Sequence, residues 1–184
     1  RQISVGTHNY ESAHMKLPPS ITTVINMSGK KYQRGSAFLY ILPFIEMANM
    51  LDLTSASSDY YGVYSLPVGF YQNPQDSTTG SVGVYDHVPW GVYGLIGYGA
   101  NYLALGHVRS NDRVNILGLR DQYDGTSNVI FYAERYMGMI NNDGFVNNDY
   151  KYYNIWAYAE EFWYEWNPIF GAYPENAANP AVAH

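Results

Sequence analysis

Glu160, Glu161 and Glu165 stand among Trp156, Tyr158, Phe162, Trp163 and Trp166. Carboxylates beside aromatic rings are what a glycosidase cleft needs: one protonates the leaving oxygen, the other attacks or activates water. Neighbouring residues point apart on a helix or a strand, so Glu160 and Glu161 do not face one bond. The rings alone are the better candidates. Trp156, Tyr158, Trp163 and Trp166 could form an interface or a platform on which sugar rings stack. A second cluster is Asn141-Asn142-Asp143-Gly144 followed by Asn147-Asn148-Asp149. Its oxygens suit calcium, with Asp143, Asn147 and Asp149 as the ligand candidates, but no acidic residue stands where an EF-hand closes. Asn and Asp also simply make turns. The expectation is therefore no metal and no cofactor, with calcium as the minor alternative.

Other chemistry is missing from the sequence. No G-x-S-x-G elbow, H-E-x-x-H pair or P-loop occurs, and Gly97-Tyr98-Gly99 does not extend to a dinucleotide fingerprint. His8, His14, His87, His107 and His184 do not pair with other ligands at metal spacing. The chain has no cysteine, which excludes disulfides, thiolate metal sites and Cys nucleophiles together. No catalytic residue is expected.

The composition points to surfaces instead. The 184 residues suit one domain spanning 1–184, and 47% hydrophobic residues against 14% charged ones are too apolar for a disordered chain. Low charge hints that part of the surface is covered. With a net charge of −6 and no basic run beyond Lys30-Lys31, nucleic acid is not an expected partner. Tyr occurs 20 times. Tyrosine offers a broad, rigid contact face with a polar tip, which suits wet, sticky, extracellular surfaces.

The elements that must position these residues read as follows. Ile3, Tyr10, Ala13 and Leu17 mark one face of a helix over 1–17, stopped by Pro18-Pro19. It starts uncapped at the first residue, as the tail of a longer helix would. Residues 36–53 read as helical, with Phe38, Ile41, Leu42, Ile45 and Ala48 as the core stripe, and Pro43 should kink it or open a second segment. Residues 60–170 read as strands and loops: a strand at 66–71, a Gly-rich ribbon at 93–105, a short strand at 114–119, a turn at Asp124-Gly125 and a strand at 129–139. Helices first and strands later predict an α+β fold, an N-terminal helix packed on an antiparallel β-sheet with long Tyr/Gly-rich loops.

Three ordered segments carry a family likeness. The first holds His8-Asn9-Tyr10 and ends in Pro18-Pro19. The second is Leu42-Pro43-Phe44-Ile45-Glu46. The third is Asp124-Gly125-Thr126-Ser127-Asn128-Val129-Ile130, with Glu134 after it. Over residues 2–134 the chain resembles the DUF1559 proteins, pilin-like or type II secretion pseudopilin-like proteins with the pattern H-N-Y, P-P, L-P-[YF]-[IL]-E and D-G-T-S-N-T-I. Asn73-Pro74-Gln75-Asp76 stands where the family often has C-P-S-D, and the family's closing H-P-G-G stretch and late D-G-S-V strand are missing.

The resemblance implies a self-assembling subunit of an extracellular filament or secretion pseudopilus. Its partners would be copies of itself or other pilin-like subunits. It would be exported to the cell surface, or to the periplasm if a pseudopilin. Membrane attachment would run only through an apolar helix preceding this chain. The alternative expectation is a secreted carbohydrate-binding module built on residues 156–166.

Overall fold

The computed structural model describes residues 1–23, 26–27, 30–31, 34–50, 63, 65–78, 83–87, 91–109, 113–140, 151–159 and 166–171. Helix α1 spans Gln2–His14 and buries Ile3, Gly6 and Thr7, with Tyr10 half-buried. Those positions follow i, i+3, i+4, i+7, the spacing of one helical face. The expected face was partly different: Ala13 is exposed, and buried Leu17 lies beyond the helix. Two of the true face residues, Gly6 and Thr7, are not apolar, so a hydrophobic pattern passes over them. The stop also comes before the prolines. Met15 turns left-handed (φ 57°) and its N–H donates to the Glu11 carbonyl at 2.7 Å.

Gly6 is where α1 meets the rest of the molecule. A Cβ there would lie 2.6 Å from Ile45 Cγ2 and 3.3 Å from Ile41 Cβ. The missing side chain thus sets the depth of docking. The partner of α1 is a broken helical segment. Helix α2 (Ala37–Tyr40) starts at Ser36, whose Oγ accepts from the Phe38 N–H at 3.2 Å. A 3-10 turn, Leu42–Ile45, follows with Pro43 near its start, and it ends at left-handed Glu46. Pro43 opens a second segment as expected, because it has no N–H to continue the first. Phe38, Ile41, Leu42 and Ile45 are buried, whereas Ala48 is exposed. Residues 51–53 of the expected helix lie outside the described residues.

The strands are short: β1 (Ile21–Thr22), β2 (Asn26–Met27), β3 (Lys30–Lys31), β4 (Gly35–Ser36), β5 (Val84–His87), β6 (Gly91–Gly94) and β7 (Tyr98–Asn101). After the one-turn helix α3 (Tyr102–Leu105) come β8 (Gly106–Arg109), β9 (Arg113–Ile116), β10 (Tyr132–Glu134), β11 (Gly138–Ile140), β12 (Lys151–Tyr153) and β13 (Ile169–Phe170). The fold is α+β. Among the described residues, the strands are spread over a four-stranded sheet in the order β4-β1-β8-β9, a three-stranded sheet β10-β7-β13, and the pairs β11-β12, β2-β3 and β5-β6. Most pairings are antiparallel, but β1 runs parallel to β8 and β13 parallel to β7.

Several expected elements take another form. Residues 66–71 are not a strand: Pro67 cannot donate to a ladder, and Gly69–Tyr71 closes as a 3-10 turn. The ribbon at 93–105 is no loose loop. Its glycines admit close backbone approach, and Tyr93, Leu95, Ile96, Ala100 and Tyr102 are buried. The strand expected over 129–139 is split into β10 and β11.

One cluster of buried side chains joins Ile3 and Leu17 to Phe38, Ile41, Tyr71, Leu95, Ile96, Ile155 and Trp156. Buried hydroxyls then sew distant segments together through main-chain acceptors. Ser36 Oγ donates to the Trp156 carbonyl, Tyr71 Oη to the Phe38 carbonyl at 2.6 Å and Ser20 Oγ to the Gly106 carbonyl at 2.6 Å. Each of these three hydroxyls is buried with a partner, as interiors require.

Candidate assembly surface

The first two motif segments build the joint between α1 and the head. Tyr10 packs edge-on against Phe44 (centroids 5.6 Å) and Tyr40 (6.1 Å), and His14 lies 4.3 Å from Tyr10. Burial raises the Tyr10 pKa. Pro18, Pro19 and Leu42 are buried. At the other end of this contact, Thr7 Oγ1 and Tyr132 Oη share a 2.7 Å hydrogen bond. Burial pushes the Tyr132 phenol well up, outweighing the bond to Thr7, which acts the other way. Both phenols therefore stay neutral and packed. His8, Asn9, Pro43 and Glu46 point outward from the same joint.

The third motif makes a different structure. Gly125 has φ 75°, its N–H donates to the Gln122 carbonyl at 3.0 Å, and Thr126–Asn128 forms a 3-10 turn. Asn128 Nδ2 closes the loop on the Asp124 carbonyl at 2.8 Å. The tight turn expected at Asp124-Gly125 is present, with Asn128 bonding local backbone. Both feet of this loop are tied to α3: Gln122 Nε2 donates to the Ala104 carbonyl at 2.9 Å, and Asn101 Nδ2 to the Ile130 carbonyl at 2.8 Å. Asn101 also caps α3, its Oδ1 accepting from the N–H groups of Leu103 and Ala104.

The tethered loop presents apolar groups to water. Tyr123 is 105% exposed, Ile130 66% and Leu103, on α3 itself, 54%. Asp124, Gly125, Thr126, Ser127, Asn128 and Glu134 are exposed as well. The loop, held by hydrogen bonds within itself and to Asn101 and Ala104, thus leaves large apolar side chains mostly open to water, as a candidate contact surface would. Leu103 and Tyr123 were not among the sequence candidates, whereas Ile130 closes the third motif segment. Tyr123 immediately precedes that segment, and its place beside the motif was the readable signal. Leu103 gave none, because it comes next to the loop only in space.

The remaining candidates separate. Trp156 is fully buried and its Nε1 donates to the Leu66 carbonyl at 2.8 Å, so it is a core residue and no platform for a sugar. Trp166 and Tyr158 are half-buried, with Trp166 close to Tyr85, Tyr153 and Tyr158. Trp163 lies outside the described residues, as do Asp143, Asn147 and Asp149. Among the described residues, no three His, Cys, Asp or Glu side chains gather as a metal would need.

Residues 1–168 match the family model SBP_bac_10, described as "Protein of unknown function (DUF1559)". The chain belongs to the DUF1559 family. No curated protein and no solved structure matches it. The match takes in all three motif segments and extends past residue 134 to β12 and Trp166. Within this DUF1559 chain, Asn73-Pro74-Gln75-Asp76 has a definite task. Asp76 Oδ1 accepts from Thr78 N–H (2.9 Å) and Thr78 Oγ1 (2.6 Å), and its Oδ2 from Met137 N–H (2.6 Å). Burial alone would raise this carboxyl, but the bonds from Met137 and Thr78 prevail and lower its pKa. The segment is thereby clasped to the start of β11, with no cysteine involved. Among the described residues, no helix is long and apolar enough to cross a membrane.

Proposed function

We propose that this DUF1559 chain is the head of an exported, pilin-like structural subunit that works by assembling with copies of itself or with other pilin-like subunits. The place of action would be the cell surface, or the periplasm in a pseudopilus. The reading asks for no catalytic group, metal or cofactor.

The observation that carries it is the hydrogen-bonded loop at 122–130, with its Tyr123 and Ile130, and Leu103 on α3, open to water. Fully burying such side chains is worth about 1.5–3 kcal/mol each. Against this stands an association cost of about 4–15 kcal/mol. At the favourable end, three such side chains set against the smallest cost leave about 5 kcal/mol, a Kd of roughly 0.2 mM, which describes a weak lateral contact that gains by repetition across an array. The sugar-binding alternative is weaker, because Trp156 is committed to the core.

Sedimentation velocity from about 10 μM to about 1 mM chain brackets the affinities such a contact allows. The expected result is association confined to the upper part of that range, lost in Tyr123→Ser/Ile130→Ser with the melting temperature unchanged. A strict monomer throughout overturns the self-assembly reading. Association that survives the double substitution places the contact elsewhere.

A further inference from the structure

We draw no further inference here: the strongest candidate, the half-exposed aromatic basin where Trp166 meets Tyr85, Tyr153 and Tyr158, carries nothing because nothing in the structure shows what covers it.

Discussion

Ser36→Ala removes one oxygen and cuts two ties. Ser36 is fully buried, and its Oγ both caps α2 through the Phe38 N–H and donates to the carbonyl of Trp156, 120 residues away. Loss of a Ser N-cap costs about 1 kcal/mol. A buried carbonyl deprived of its donor costs a further 1–3 kcal/mol or so. The sum is about 2–4 kcal/mol, and for a chain of this size each kcal/mol lowers Tm by about 2–4 °C. The expected Tm loss is therefore about 5–15 °C, read by circular dichroism. Ser12, exposed on α1, supplies the control, since Ser12→Ala removes a hydroxyl that packs against nothing buried. A Ser36→Ala chain that melts within about 2 °C of the parent would refute the reasoning, because it would show that the 36–156 tie contributes no net stability.

Two glycines separate backbone strain from steric clash. Gly106 has φ 77° and a Cβ there would sit 2.0 Å from the Asn115 carbonyl oxygen of the paired strand, so Gly106→Ala should cost more than about 3 kcal/mol in chemical denaturation. Gly125 also has positive φ, but a Cβ there meets nothing within 4 Å, so Gly125→Val should cost only about 1 kcal/mol or slightly more. If the two substitutions cost the same, the contact at Gly106 is misjudged. The Asp76 clasp is pH-dependent in a definite direction. Its folded pKa is lowered, so its stabilisation is complete above the unfolded value of about 3.9 and fades as pH falls toward the folded value. Melting curves of the parent and Asp76→Asn should stay well separated at neutral pH and converge in acid, and a constant gap down to low pH would show that this carboxylate is not what holds the segment.

Individual breaks and turns were legible in the sequence because they rest on local signals, whereas the order of the elements was not: β1 to β4 fall between α1 and α2, where helices were expected to precede all strands. Pro43 divides the helical segment wherever it sits, since the lost N–H is a property of the residue itself. Asp124-Gly125 makes its turn for a similar reason: only glycine takes φ near 75° without strain, and Asn128 reaches the Asp124 carbonyl from four residues away. The three motif segments likewise sufficed to place the chain in its family. What the sequence could not decide is which segments meet. The face of α1 runs through Gly6 and Thr7, chosen by a close approach to Ile41 and Ile45 and by the hydroxyl of Tyr132, 125 residues on. Trp156 looked the same as its aromatic neighbours until Gly94, Leu66 and Ser36 enclosed it. The loop carrying Tyr123 and Ile130 came to lie beside α3, which carries Leu103, only through the hydrogen bonds of Asn101 and Gln122. A turn is fixed by the torsions of two or three residues, whereas burial is fixed by whatever the rest of the chain brings alongside, and that only the tertiary structure decided.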